Sequence, residues 1–269
     1  WQVFWDLVKY QKRQMVSLSL LQFVFLLPLV VDILIFNMFI VAASQGTDLA
    51  VTNSTIFSLI FYMMIIAIPC VVIAFIGLGG LAYVSRNIAW QEGLLSGPDF
   101  FKGMKKNLKH SIISGIIWGF SLFLLVIGSL FLLRTSSSSN QPWIHNVGVG
   151  LCITQFIIVS IVCIYTLTYT SFYENRYRDV IRNSFIFFVA KFFKNLLLFA
   201  CTTGLIVGLM FVDFIAQIVI IIVVAFLSSF MMIGWTLLSH EAFDQLINKN
   251  NYPEYYEKGL YKEKRKKEN

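Results

Sequence analysis

Apolar residues run along this chain in long blocks separated by short polar stretches. They show neither the alternation of a half-buried strand nor the one-sided stripe of a helix on a soluble core. The first block covers about Met15 to Ala43 and contains Pro28 and Asp32. The second, Ile56 to Val84, contains Pro69 and the glycines Gly77, Gly79 and Gly80. The third is Ser111 to Leu133 and the fourth Val147 to Tyr173. A hydrocarbon core about 30 Å thick takes about 20 residues as helix, so each block predicts one crossing. The last block, Asn195 to Leu238, is too long for one and fits two joined by a turn, placed at its only acid, Asp213. The expected spans are about 15–43, 56–84, 111–133, 147–173, 195–212 and 214–238, in a single domain over 1–245 with a charged tail at 246–269.

Composition carries the same message. Hydrophobic residues make up 58% and charged ones 13% of 269, against about 25% charged in soluble domains, and mean hydropathy is +0.75. So little polar surface cannot cover a globule in water. Disorder, a secreted disulfide scaffold and a soluble enzyme are excluded. Cys70, Cys152, Cys163 and Cys201 each lie inside an apolar run, with no C-x-x-C pair and no nearby His. They read as small buried hydrophobes rather than a metal site or a bridge framework.

The net charge of +7 reports topology. Basic residues collect before the first span (Lys9, Lys12, Arg13), in the 85–110 and 174–194 connections and in the tail, leaving Arg134 alone on the other side. The positive-inside rule then puts both termini in the cytoplasm of a plasma-membrane protein with an even number of spans. The charge is no nucleic-acid signal, and the basic tail suits anionic headgroups. Span one is longer than the apolar core of a cleavable signal.

Three segments before odd-numbered spans resemble one another. Phe4-Trp5 is followed by Lys9 and Arg13, Phe100-Phe101 by Lys105 and Lys109, and Phe187-Phe188 by Lys191 and Lys194. Lys106-Asn107-Leu108 returns as Lys194-Asn195-Leu196. Basic residues on one helical stripe with aromatics beside it describe a helix lying in the cytoplasmic interface, rings in the acyl boundary and cations at phosphates. The expected architecture is therefore all-α: three transmembrane hairpins, each preceded by an interfacial amphipathic helix. An aromatic belt beside any Lys-rich inner flank gives a similar pattern without a repeat. The predicted contacts with the interface or a partner are Arg86, Phe100, Phe101, Lys102, Lys105, Lys106, Lys109, Arg182, Phe187, Phe188, Lys191 and Lys194.

Candidate chemistry is sparse. Asp32 is the one acid within a span, and an intramembrane carboxylate costs about 2.5–3.5 kcal/mol. It reads either as a substrate or proton contact in an outward cavity, or as a group near the outer interface paired with Asn37, Gln155 or Gln217. The Gly77–Gly80 cluster reads as a hinge or as a close helix approach. His240-Glu241 begins a zinc-protease pattern that Asp244 breaks. No P-loop, G-x-S-x-G or dinucleotide fingerprint occurs, so no catalytic residue, metal or cofactor is expected.

Two stretches carry a family resemblance. One is Gly79-Gly80-Leu81-Ala82-Tyr83-Val84-Ser85-Arg86 with Glu92-Gly93 and Asp99-Phe100-Phe101-Lys102-Gly103-Met104-Lys105-Lys106-Asn107-Leu108-Lys109. The other is Tyr177 to Phe187, centred on Arg182-Asn183-Ser184. With six spans, roughly residues 15 to 245 resemble the YesL-like family of bacterial membrane proteins, whose function is unknown. Members tend to be encoded beside carbohydrate ABC importers of Gram-positive bacteria. The resemblance implies a non-catalytic accessory subunit that packs against permease helices, with the ATPases as further partners. The competing expectation is a stand-alone carrier or channel for small solutes with a path past Asp32.

Overall fold

Inside hydrocarbon a backbone can satisfy its own amides only as a helix or a closed barrel, and no stretch of this sequence alternates as a barrel strand does. Helix is the outcome throughout. The computed structural model describes residues 2–44, 49–92, 95–136, 142–202 and 214–259, and among them there is no strand. The elements are α1 (Gln2–Ser44), α2 (Leu49–Ala89), α3 (Ser96–Phe123), a π-helical turn at Leu124–Gly128, α4 (Ser129–Ser136), α5 (Pro142–Phe172), α6 (Tyr177–Ala190), α7 (Phe192–Cys201) and α8 (Phe214–Phe243). A second π-helical turn, Asp244–Asn248, continues α8 into a last helical turn, Lys249–Asn251. Pro28 and Pro69 sit inside α1 and α2 without ending them.

Five stretches are long and apolar enough to cross a membrane: Val3–Ala42, Ser54–Ala89, Ser96–Thr135, Trp143–Phe172 and Ile221–Asn251. This is a polytopic membrane protein. Beyond the break at Gln11, residues 12–44 of α1 extend about 50 Å, well over what one crossing needs. The surplus lies at one end. Ser229 donates to the Met15 carbonyl at 2.6 Å, Arg86 to the Ser171 carbonyl at 2.6 Å and Trp90 to His240 at 3.2 Å. These bonds gather the start of α1, the close of α2 and the ends of α5 and α8 at the side carrying the clustered Lys and Arg. We call it the basic end.

In the third unit α6 and α7 meet at a bend of 95° between Ala190 and Phe192. Together they make a sixth candidate crossing or a re-entrant pair. Most of the expected span at 195–212, and its turn at Asp213, fall outside the described residues. The first interfacial segment is set off from the rest of α1 by non-helical backbone at Gln11 (φ −120°, ψ 17°). The second is not a separate helix, because Phe100 to Lys109 continue unbroken into the span as α3.

Packing explains that continuity. α2 and α3 meet along glycines: a Cβ on Gly103 would sit 2.7 Å from Tyr83 Cγ, one on Gly80 2.8 Å from the Phe100 carbonyl, and one on Gly115 2.9 Å from Val72 Cα. Backbones this close dock Phe100 inside the bundle, where it is fully buried against Phe25. The glycine cluster is thus a close approach of helices. In a second cluster Tyr165, Tyr169, Phe187 and Phe243 fill the interior of the basic end with rings 4.8–6.0 Å apart, spacings suited to edge and offset contacts.

Candidate functional site

The basic end holds several buried polar groups, among them Arg86, Asn107, Asn195, His240, Asp244 and Asn248. Arg86, near the end of α2, is only 9% exposed. Its Nη1 donates to the Ser171 carbonyl at 2.6 Å, and its Nε and Nη2 to Asn87 Oδ1 at 3.1 and 2.6 Å. Its plane lies over the rings of Tyr83 and Trp90 at 4.4 and 4.9 Å. A guanidinium is expensive to bury unless its donors are used, and here they are.

One turn on, Trp90 Nε1 donates to His240 Nε2 at 3.2 Å. An accepting nitrogen carries no proton, so the ring proton sits on Nδ1, which faces Asp244 Oδ2 at 3.7 Å. Asn248 Nδ2 donates to Asp244 Oδ1 at 2.7 Å, and the Tyr173 hydroxyl donates to Asn248 Oδ1. The chain Trp90–His240–Asp244–Asn248–Tyr173 ties α2, α8 and α5 together. The π-helical turn after α8 begins at its third member, Asp244, and ends at its fourth, Asn248. Segment 252–259 covers it: Tyr252 packs on Tyr173 at 5.0 Å, Tyr255 on Trp90 at 5.2 Å, and Lys258 Nζ stands 3.8 Å over the Trp90 ring and 2.8 Å from Glu92 Oε1. Part of the expected charged tail is therefore folded onto the bundle, because its tyrosines supply apolar faces. These bonds make the cluster a joint between α2, α5 and α8.

A second polar group fastens the bend. Asn195 of α7 is fully buried, donates to the Phe187 and Phe188 carbonyls at 3.3 and 3.0 Å, and accepts from the Tyr165 hydroxyl at 2.8 Å. Those carbonyls belong to the last turn of α6, where the Phe187 carbonyl also accepts from the Lys191 N–H at 3.1 Å. Outside, Lys191 and Lys194 both reach Glu241 Oε1 of α8, at 2.9 and 2.8 Å.

Between α3 and the α5–α6 connection opens a cleft of about 390 Å³ lined by Lys106, His110, Tyr173, Glu174, Asn175 and Arg176. Asn107 closes its floor, donating to the Gly79 carbonyl at 3.0 Å and to Ser171 Oγ at 3.1 Å. Lys106 Nζ bridges the mouth to Glu174 Oε1 at 3.0 Å, and this ammonium holds the Glu174 carboxyl below its ordinary pKa. Asn175 donates to the Tyr169 hydroxyl at 2.7 Å, and the His110 ring packs on Tyr177 at 5.6 Å.

The predicted contact residues divide. Lys102, Lys105, Lys109, Phe101 and Arg182 are exposed, as an interfacial role requires. Arg86, Phe100, Phe187 and Phe188 are buried in the fold instead. They are corrected from boundary residues to core, because neighbouring helices cover the face on which they lie. Lys191 and Lys194 are drawn to Glu241 and Lys106 to Glu174. Asp32 lies partly buried on α1, and its Oδ2 has no hydrogen-bond partner among the described residues. Of its expected partners, Asn37 donates to the Ile33 carbonyl, Gln155 donates to Ser121 Oγ, and the Gln217 side chain lies outside the described residues. The sequence reading missed Trp90, Tyr173, Asn195, Asp244 and Asn248. Only Asn195 carried a signal, the repeated Lys-Asn-Leu. No protein-family model, curated protein or solved structure matches this chain.

Proposed function

We propose that the protein is a non-catalytic accessory subunit of a bacterial carbohydrate importer, set in the plasma membrane with its basic end in the cytoplasm, and that it works by packing against the permease helices. The observation that carries this reading is where burial stops. Past Gln22 on α1, before Met64 on α2, past Leu122 on α3 and α4, before Phe156 on α5 and before Ala225 on α8, no described residue is buried. The five long helices share a core at the basic end and leave their other halves uncovered. That surface includes Val24, Val31, Met38 and Phe39, each about half exposed or more.

Lipid tails can cover apolar side chains as well as a protein can, but they offer Asp32 nothing. A helix of another chain that brings a donor to its Oδ2 lowers the cost of an intramembrane carboxylate. The identity of that chain, a permease, rests on the YesL-like resemblance.

Affinity purification of the tagged full-length protein from native membranes in mild detergent tests the reading. Permease and ATPase chains of a carbohydrate importer are expected in stoichiometric amounts. Recovery of the protein alone, or only as a homo-oligomer, overturns it.

A further inference from the structure

We propose that the cleft between α3 and the α5–α6 connection is a phosphate site, held by Lys106 and Arg176 with His110 beside them. Three observations carry the proposal. The first is charge. Lys106 and Arg176 face one acid, Glu174, with the His110 ring beside them as a neutral hydrogen-bonding group, because burial and the neighbouring Lys109 lower its pKa. That acid already occupies Lys106 at 3.0 Å, and Arg176 has no ion-pair partner among the described residues. Arg and Lys on opposite walls are the donors a phosphate needs, one planar and forked, the other a point charge.

The second is the floor. Asn107 is 1% exposed and bonded to α2 and α5 together, so the wall carrying Lys106 and His110 cannot drift from Arg176. A site with room for a ligand of about 390 Å³ is held open by packing rather than by the ligand.

The third is level. His110 stands where α3 turns from Lys-rich to apolar sequence. α6, which begins just past Arg176, buries Val180, Phe187 and Phe188 while turning Phe185, Ile186 and Val189 outward at 46–57% exposure. Apolar residues on both faces of a short helix place it at the boundary between fold and acyl chains. The cleft therefore opens where phospholipid headgroups lie. The same donors would hold the phosphate of an anionic headgroup or of a soluble phosphate ester, and Glu174 acts as the internal anion that either one displaces.

Native mass spectrometry of the full chain, delipidated from vesicles containing phosphatidylglycerol and phosphatidylcholine, reads the lipid source. Thermal unfolding in phosphatidylcholine alone, with and without glycerol phosphate, reads the soluble one. Lys106→Gln and Arg176→Gln are each expected to weaken phosphatidylglycerol retention about fivefold, the effect of one cation near an anionic surface, while Lys9→Gln leaves it unchanged. The exposed Arg176 side chain has no hydrogen bond or ion pair among the described residues, so an unchanged unfolding midpoint of Arg176→Gln without ligand separates its effect on binding from one on folding. Glu174→Gln is expected to strengthen retention. A merely structural Lys106–Glu174 bridge predicts instead that Lys106→Gln and Glu174→Gln act in the same direction. Stabilisation by glycerol phosphate that Arg176→Gln abolishes, without selective lipid retention, assigns the site to a soluble ester. If Arg176→Gln changes neither readout, or Glu174→Gln weakens binding, the proposal is overturned.

Discussion

Asn107 of α3 and Asn195 of α7 do the same work at two different helix contacts. Each is buried to within 1% of completely. Each donates its amide to backbone carbonyls of an earlier helix, Gly79 for Asn107 and Phe187 with Phe188 for Asn195. Each also bonds a side-chain hydroxyl of α5, Ser171 or Tyr165. The lysine just before each one points outward to a glutamate, Lys106 to Glu174 and Lys194 to Glu241. One Lys-Asn pair thus ties a helix inward through its amide and outward through its charge.

The two halves of that pair differ in worth. Asn107→Leu removes two buried side-chain hydrogen bonds and Asn195→Leu three, a net loss of about 0.5–1.5 kcal/mol per bond. Lys106→Gln and Lys194→Gln remove ion pairs at the surface, where the usual contribution is about 0–1 kcal/mol. Thermal unfolding in detergent should show a clearly lowered midpoint for both leucine variants and almost none for the glutamines. Equal shifts for Asn107→Leu and Lys106→Gln would show that the amide does not hold the helices.

Along the α2–α3 seam, alanine is expected to act as an overlarge residue. Gly103→Ala and Gly80→Ala drive a methyl group into Tyr83 and into the Phe100 carbonyl, and overpacking of this kind costs about 1–3 kcal/mol. Gly150 of α5 has no atom within 4 Å of its missing Cβ. Gly150→Ala should therefore be neutral or stabilising by about 0.5–1 kcal/mol, the helix-interior difference between the two residues. Unfolding midpoints of the three variants check the contrast.

What the sequence made legible follows from the kind of pattern that carried it. Long apolar blocks set the crossings, and the basic clusters set which helix ends meet, because both depend only on distance along the chain. The face a residue presents does not. Phe100 and Phe101 sit in the same aromatic pair, yet one is fully buried and the other 44% exposed, since neighbours on a helix point about 100° apart. Only the close approach of α2 decides which ring goes in. The bend between α6 and α7 is equally hidden: no proline or glycine lies near Ala190 and Phe192, and its fastening is a tertiary contact of Asn195. The phosphate-site cations were legible as basic residues, while the gathering of Lys106 with Arg176 needed the fold.

Trp90 is expected to matter through its nitrogen as well as its ring. Trp90→Phe keeps an aromatic face for Arg86, Tyr255 and Lys258 but leaves His240 Nε2 without its donor in a buried site. The orphaned acceptor and the smaller ring together should cost about 2–4 kcal/mol. Hydrogen exchange should show faster opening of the last turns of α2 and α8 together, because the bond joins them. A loss confined to α2 would mean that the indole N–H is not what couples the two helices.

Segment 252–259 closes over Trp90 and Tyr173 by rings and one charge, so its hold is expected to be cooperative. The single Lys258–Glu92 pair is partly solvated, with both side chains more than a third exposed, and Lys258→Ala should cost no more than about 1 kcal/mol. Ending the chain after Asn251 removes Tyr252, Tyr255 and Lys258 at once and uncovers a tryptophan that is now 8% exposed. In a background where the other tryptophans are phenylalanine, acrylamide should quench Trp90 several-fold more strongly in the truncated chain than in the intact one, with Lys258→Ala close to the intact value. If truncation leaves quenching unchanged, the segment does not cover Trp90 in the membrane protein, and the polar chain from Trp90 to Tyr173 stands open to water at the basic end.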